Sequence, residues 1–390
     1  MKNVVNIDGG NAFSVVSLFS GAMGLDLGLM EAGLHVAVSQ DFDKWCVETI
    51  RANGHVAVEG DIRELIKADP KCNFLLKTGK LKKNGVFAVV GGPPCQSFST
   101  AGKRKGVKDE RGALYNQFIH VVDTLRPRFF VMENVKGLAS MHSDPDDKNS
   151  KPVLADILER FKKLGYHTVH GVLDAVHYGA PQFRERLVII GSRDCEAIFL
   201  PSPTHFHMHQ VPNMRWRTLS DAISNISNIG LCAKFTPTTK DFLTLVPEGG
   251  NWRSLPPAIA KLAMGGAYES GGGKVGFFRR LSFSEPAPTL VTSPTQKATL
   301  LCHPRENRPL SVIEYARIQQ FPDTWQFEGS VSDCYRQIGN AVPISLGRAI
   351  GQMLISVAQG NSQIKVKRMR GTSVHDTMKQ MSQVLIGSKK

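Results

Sequence analysis

The residues best suited to covalent chemistry lie in the run Gly91-Gly92-Pro93-Pro94-Cys95-Gln96-Ser97-Phe98-Ser99. Two prolines restrict the chain just before the sulfur, glycines clear space around it, and the apolar run Val86 to Val90 feeds directly into it. Open α/β sheets place ligands at the carboxyl ends of buried strands, so Cys95 is held out as a nucleophile is held; an inert buried thiol is the alternative for any single cysteine. Glu133-Asn134 ends a second apolar run, Arg128 to Met132. A carboxylate at such a strand mouth has its pKa raised by desolvation and can donate a proton, or it caps the helix that follows. In Gln182-Phe183-Arg184-Glu185-Arg186 the alternation of a strand puts Arg184 and Arg186 on one face with Glu185 on the other, giving two donor forks aimed together or two surface ion pairs.

A second group of residues has the types needed to hold an adenosine. Phe19-Ser20-Gly21-Ala22-Met23-Gly24 stands at a strand-to-helix junction, where glycines let backbone approach a ligand and expose a helix N-terminus. Its spacing is not GxGxxG, which disfavours a dinucleotide pyrophosphate. Asp41 follows about 20 residues on, at the position from which a carboxylate reaches ribose hydroxyls in doubly wound folds. Phe42 beside it is a stacking surface, and Asp61 in Gly60-Asp61-Ile62 is an acceptor for an adenine amino group. Each residue alone has an ordinary structural reading; together they point to an adenosine-bearing cofactor. Near the C-terminus, Gln337-Ile338-Gly339-Asn340-Ala341-Val342-Pro343 sets an amide at a turn before a helix, as a cap or a ligand contact. His205, His207 and His209 alternate as strand ligands would, but no fourth ligand stands at a familiar spacing, and no metal is assigned.

Positioning these groups calls for alternating strands and helices, hence an α/β layered domain with a largely parallel sheet. Strands are predicted at Ser14 to Phe19, His35 to Ser39, Val86 to Val90 and Arg128 to Met132. Helices are predicted at Leu25 to Ala32, Lys44 to Ala52, Asn116 to Leu125 and Pro152 to Leu164. Thr168 to Leu173 and Leu187 to Ile190 read as a hairpin, and helical patterning returns at Ser311 to Gln320 and Ser345 to Val357. Between them, from about residue 200, prolines and the run Gly271-Gly272-Gly273 mark a second, smaller, loop-rich domain.

The 390 residues suffice for two domains, and 42% hydrophobic with 21% charged is an ordinary globular composition that excludes a disordered or fibrous chain. Apolar runs fall far short of the ~20 residues a bilayer span needs, and the N-terminus lacks a signal-peptide pattern, so a cytoplasmic chain with no membrane partner is expected. The net charge of +14 favours a polyanionic partner. Residues 201 to 300 hold ten Lys and Arg, among them Arg215, Arg217, Arg279 and Arg280, against five acids; residues 361 to 390 hold seven against one. Lys103 to Arg111 forms a further basic, glycine-containing loop.

The succession FSGAMGLDLG, QDFD, GDI, GGPPCQSFS, MENVKGL, QFRERL, a Pro/Gly-rich stretch, then RPLSVIEYARIQQFPDTW and QIGNAVP resembles the cytosine-5 DNA methyltransferase family over nearly all of residues 13 to 358. The resemblance implies a Rossmann-like S-adenosylmethionine-dependent sheet domain over 1–200 and 305–358, a target-recognition domain over 201–304, and a basic tail over 359–390. Phe19, Gly21, Gly24, Asp41, Phe42, Asp61, Ile62, Pro94, Asn340 and Val342 would line the cofactor site, and S-adenosyl-L-homocysteine would be the product. Cys95 would add to C6 of a target cytosine, Glu133 would protonate N3, Arg184 would contact O2, Arg186 would act as a structural partner and Asn340 would support the pocket. The cytosine has to leave the duplex stack for this attack. Ser99, Lys103 and Arg111 would then meet DNA from the closing loop, and Arg279 and Arg280 from the recognition domain. The partner would be double-stranded DNA, and the protein a monomeric methylase, solitary or matched to a restriction endonuclease that cuts the same site.

Two readings compete: a tRNA cytosine methyltransferase of the same family, and a catalytically silent DNA-binding relative. The large basic recognition segment disfavours the first, and the joint presence of Cys95, Glu133 and Arg184 the second. A nicotinamide oxidoreductase is disfavoured by the glycine spacing.

Overall fold

A computed structural model describes residues 13–94, 114–142, 147, 150–194, 197–207, 214–269 and 275–360. The first half is a run of βα units: β1 (Ser14–Leu18), α1 (Gly24–Glu31), β2 (His35–Asp41), α2 (Lys44–Ala52), β3 (Ala57–Glu59), α3 (Ile62–Ala68), α4 (Asn73–Thr78), β4 (Ala88–Gly91), α5 (Leu114–Leu125) and β5 (Phe129–Val135). After α6 (Val153–Lys163) come β6 (His167–Asp174) and β7 (Glu185–Ser192). The seven strands form one sheet in the order β3-β2-β1-β4-β5-β7-β6. The contiguous pairs from β3 to β5 are parallel, while β7 runs antiparallel to both β5 and β6. The Rossmann-like α/β expectation and the 168–190 hairpin both hold. β7 is the inserted strand, pairing Val131 with Ile190 on one side and Val169 with Ile190 on the other.

Strands buried on both faces read as unbroken apolar runs, and β1, β4 and β5 do so because helices cover the sheet twice. One face carries Val16, Val89, Phe130, Leu187 and Ile189 under α3 to α6. The other carries Val15, Val90, Val131 and Ile190 under α1 and the last helix, α12 (Ile344–Ala358), which follows α7 (Leu219–Ile223), α8 (Pro237–Thr244), α9 (Pro257–Met264), α10 (Val312–Ile318) and α11 (Val331–Asn340). The α1–α12 contact is close enough to demand glycine. A Cβ on Gly28 would stand 2.2 Å from the Ile344 carbonyl oxygen, and one on Gly24 2.3 Å from that of Val342.

Neither α3, α4 and β3 nor α11 was anticipated. The stretch Val331–Ala358 is long and apolar enough to cross a membrane by composition, yet it is two helices broken at Ala341, largely buried in the protein. The expected break at residue 200 is also not where the cores part. Leu219, Ile223, Leu281, Ala287 and Leu290 pack with Tyr315, Tyr335 and Ile338 of α10 and α11. Two small separate cores, around Phe235, Leu243 and Leu300 and around Val246, Leu255 and Ala260, lie in the loop-rich segment.

Candidate active site

Parallel strands deliver the ends of β1, β2, β4 and β5 to one edge of the sheet, and the predicted residues gather there. At the end of β2, Asp41 is buried at 7% exposure and accepts hydrogen bonds from the Gly21 backbone N–H (2.8 Å) and from that of Asp43 (2.9 Å). Burial pushes its carboxyl up to about 6, against the pull of those N–H groups and of the Arg336 guanidinium. Asp41 thus ties the β1–α1 loop, in which Phe19 and Met23 both take left-handed backbone, to the end of β2. Phe42 next to it is 67% exposed, an apolar ring left open on the rim.

The neighbouring turn hangs on the same residue: the Gly60 N–H donates to the Asp41 carbonyl (3.0 Å), which fixes Asp61 beside it. Asp61 caps α3 and is gripped by its own helix, with Arg63 Nη2 at 2.5 Å, and that hydrogen bond holds its carboxyl below the usual range. Ile62 points into the core below.

One functional candidate escaped the sequence reading. Asp26, 1% exposed, lies under the glycine loop and accepts from Ser17 Oγ at 2.7 Å and Ser39 Oγ at 3.5 Å, while Ser20 Oγ donates to Ser17 Oγ at 2.8 Å. Burial pushes its carboxyl up to about 7. The available signal was a carboxylate on the apolar side of α1, between Leu25 and Leu29.

Beyond Gly91 the chain is described as far as Pro94; Cys95, Ser99, Lys103 and Arg111 lie outside the described residues. The approach to Cys95 is anchored, since Asn134 Nδ2 donates to the Pro93 carbonyl at 2.9 Å. Glu133, one residue earlier on β5, meets Arg186 of β7: Nε lies 2.7 Å from Oε1, and both side chains are 12% exposed. A Cβ on residue 92 would fall 2.8 Å from the other oxygen, Oε2, so Gly92 is what leaves that oxygen room. Burial raises the Glu133 carboxyl above its ordinary value, and Arg186 and then Arg184 pull against it.

The two arginines of the QFRER run therefore differ in depth. Arg184 is 1% exposed and donates to the carbonyls of Leu290 (2.9 Å) and Gly339 (2.6 Å), riveting β7 to the end of α11. Arg186, expected as the structural partner, is the one that faces the carboxylate. Glu185 points away, as the alternation required, and pairs with Lys136 at 2.9 Å. Asn340 is exposed at the end of α11, and Val342 follows with its carbonyl pressed on Gly24.

The expectation for Arg280 is corrected. It is 5% exposed, and its guanidinium is spent on the carbonyls of Leu243 (2.6 Å), Val246 (2.7 Å), His303 and Glu306 (both 3.1 Å) and on Asn307. A side chain so enclosed has no donor left for a phosphate. Arg279 is part-buried, with Nε on the Leu300 carbonyl at 3.2 Å. Arg215 forks onto Asp221, the residue that closes the N-terminus of α7.

A family model described as C-5 cytosine-specific DNA methylase matches residues 13–356. The chain is 40% identical over 357 residues to the Type II methyltransferase M.PspPI of Psychrobacter sp., covering 90% of this chain and 80% of that protein. It is equally identical to M.Sau96I of Staphylococcus aureus, over 90% and 78% of the two. In fold it is similar to a DNMT2 variant from Spodoptera frugiperda, with a TM-score of 0.55 at 17% identity, over 88% of this chain and 99% of the other. With the sheet order, the glycine loop braced by Asp41 and the Glu133–Arg186 pair beside the approach to Cys95, these matches show that the chain belongs to the C-5 cytosine-specific DNA methylases.

Proposed function

We propose that this protein transfers the methyl group of S-adenosylmethionine to C5 of a cytosine extruded from duplex DNA, as the methylase of a restriction-modification system. The observation that carries the catalytic assignment is the Glu133–Arg186 contact at the mouth of β5. Arg186 holds Oε1, leaving Oε2 above Gly92 to address N3 of the base, and we assign the contact with the base O2 to Arg186 in place of Arg184. Arg184 becomes the residue that fixes the start of β7 and the end of α11.

The residues fit the cofactor. An adenosine needs an acceptor for its ribose hydroxyls, an apolar face and an acceptor for its amino group. Asp41, Phe42 and Asp61 stand at the ends of adjoining strands β2 and β3; each Asp41 oxygen accepts one hydrogen bond and keeps a lone pair for the ribose, whereas both Asp61 oxygens are engaged by Arg63, which has to give up part of its grip for Asp61 to accept from the adenine amino group. When bound, S-adenosylmethionine supplies an electrophilic methyl group on a sulfonium and is left as S-adenosyl-L-homocysteine. Cys95, directly after Pro94, adds through its thiolate to C6, forming the C6–S bond while Glu133 gives a proton to N3. C5 gains the electron density needed to take the methyl group; N3 then returns its proton to Glu133, the C5 proton passes to a solvent base, and expulsion of the thiolate restores the ring. Asn340 at the end of α11 and Val342 in the turn that follows close the cofactor side.

The reading segment is proposed within 201–304, around the two small cores. The closing loop with Ser99, Lys103 and Arg111, and the tail over 359–390, would supply phosphate contacts. The protein is proposed to act as a cytoplasmic monomer, with a restriction endonuclease sharing its site but forming no stable complex.

The test offers S-adenosylmethionine with a labelled methyl group to unmethylated duplex DNA and to bulk tRNA, with Cys95→Ala as control. Label in DNA as 5-methylcytosine, absent with Cys95→Ala, is expected. Label in tRNA alone, or turnover surviving in the variant, would overturn the proposal.

A further inference from the structure

The C-terminal helix pair reaches the cofactor edge at a point that none of the motifs marks. Arg336, in the middle of α11, makes an ion pair with Asp43 through Nη1 and a second with Asp333 of its own helix at 2.5 Å through Nη2. Asp43 is the residue that caps α2, accepting from the Trp45 N–H at 3.0 Å, and its own N–H donates to Asp41 at 2.9 Å. Asp41 in turn accepts from Gly21 at 2.8 Å. A continuous polar chain therefore runs from α11 through Asp43 and Asp41 to the glycine loop.

Arg336 also stands four residues before Asn340, on the same face of α11. One residue on, the helix is tied to α2 again, where Thr49 Oγ1 donates to Gln337 Oε1 at 2.7 Å. The groups around Asp41 are Asp26 from α1, Asp43 and Cys46 at the start of α2, and Arg336 with Asp333 from α11. Among the described residues, Arg336 is the cation whose field favours the Asp41 anion, while the other groups named are acids or a buried thiol. Its own side chain is 37% exposed and that of Asp43 14%, so the pair sits at the protein surface.

We propose that Arg336 is a positioning residue for the cofactor: it clamps α11 onto the Asp41-Phe42-Asp43 turn and keeps the Asp41 carboxylate ionised and aimed at the ribose. This rests on the cofactor assignment above and adds a role for a residue outside the recognised motifs. A neutral side chain at 336 removes a positive charge that favours the Asp41 anion, so the carboxylate takes up a proton at higher pH than in the parent protein. Binding that needs an ionised acceptor then fails earlier on acidification. A lysine keeps the charge and loses the fork.

The experiment is calorimetric titration of the full chain with S-adenosylmethionine and with S-adenosyl-L-homocysteine between pH 5 and 8.5, on the parent protein, Arg336→Gln and Arg336→Lys. Arg336→Gln is expected to weaken both ligands about tenfold at pH 7 and to move the acidic limb of the binding curve upward by roughly half a pH unit or more. Arg336→Lys is expected to keep the limb in place. A uniform loss of affinity in Arg336→Gln with an unmoved limb, or no loss at all, would overturn the proposal. Thermal unfolding of each variant identifies one that has failed to fold; if Arg336→Gln does so, the equally uncharged Arg336→Met takes its place, a raised limb supporting the clamp and an unmoved limb rejecting it. If the parent protein binds neither ligand, it is the cofactor assignment that falls.

Discussion

Glu133 on β5 and Arg186 on β7 face each other at 2.7 Å although their strands run in opposite directions, because the antiparallel register pairs Val135 with Arg186 and brings the guanidinium back over Glu133. Two charges with so little exposure stabilise each other only while both are present; removing one leaves the other buried and unpaired, a loss of about 3 kcal/mol.

Arg186→Met is therefore expected to lower stability near pH 7.5 and to lose less at pH 5. Without its cation the Glu133 carboxyl, already raised by burial, is protonated over more of that range. Adding Glu133→Gln should restore much of the stability and none of the turnover. Denaturant unfolding at the two pH values checks this, and equal losses at both would show that the pair is not the source.

Asp26 carries a second pH signature. Its folded-state value, about 7, lies above the ordinary 3.8, so from about pH 4 to 7 the folded chain holds a proton that the unfolded chain has released. Stability from this group is greatest at low pH and falls as pH rises through that window. Asp26→Asn keeps an acceptor for Ser17 and cannot ionise, so its stability relative to the parent should rise by roughly 2 kcal/mol between pH 5 and pH 8. Parallel stability profiles would refute this.

At Gly28 no side chain fits, since an added Cβ would lie 2.2 Å from one backbone oxygen and 2.5 Å from the Arg348 backbone nitrogen. Backbone on both sides cannot give way as a flexible side chain can. Gly28→Ala should cost about 3 kcal/mol or more and loosen α12 from α1. Hydrogen exchange in α12 would report it, and protection equal to that of the parent would refute it.

For Arg280, Arg280→Ala is expected to destabilise the loop-rich segment by about 3 kcal/mol and to leave the salt dependence of DNA binding unchanged, because the side chain supports carbonyls and meets no phosphate. Lys103→Ala should do the reverse, shallowing the salt slope by about 1 with little effect on stability. A shallower slope in Arg280→Ala would restore the role first expected of it.

Much of the sheet domain is legible in the residue pattern because its signals are local. Lys44–Ala52 has the bounds its periodicity predicts, and the apolar runs of β4 and β5 are those of doubly covered strands. What the pattern hides is depth and distant company. Alternation puts Arg184 and Arg186 on one face but does not reveal that one is roofed by the carbonyls of Leu290 and Gly339. Arg280 reads as a charge in a basic segment, while the carbonyls that enclose it come from residues 243 to 306. Helix α11 escapes notice because Arg336, Gln337 and Asn340 interrupt an apolar side made by Cys334, Tyr335 and Ile338. Asp26 and Arg336 gain their meaning from contacts made across the cofactor edge, which no local window contains.

The contact between α1 and α12 joins segments more than three hundred residues apart, and it forms much of the cover on one face of the sheet. During synthesis, Val15, Val90 and Val131 leave the ribosome long before Leu346, Ile350 and Leu354 exist to shield them. The sheet therefore waits with the α12 part of that face uncovered until α12 has been made, a high-contact-order arrangement that folds late and exposes apolar surface meanwhile. Completion of the enzyme is in this sense a ring closure, and a nascent chain stalled short of α12 is a substrate for chaperones rather than a partial methylase.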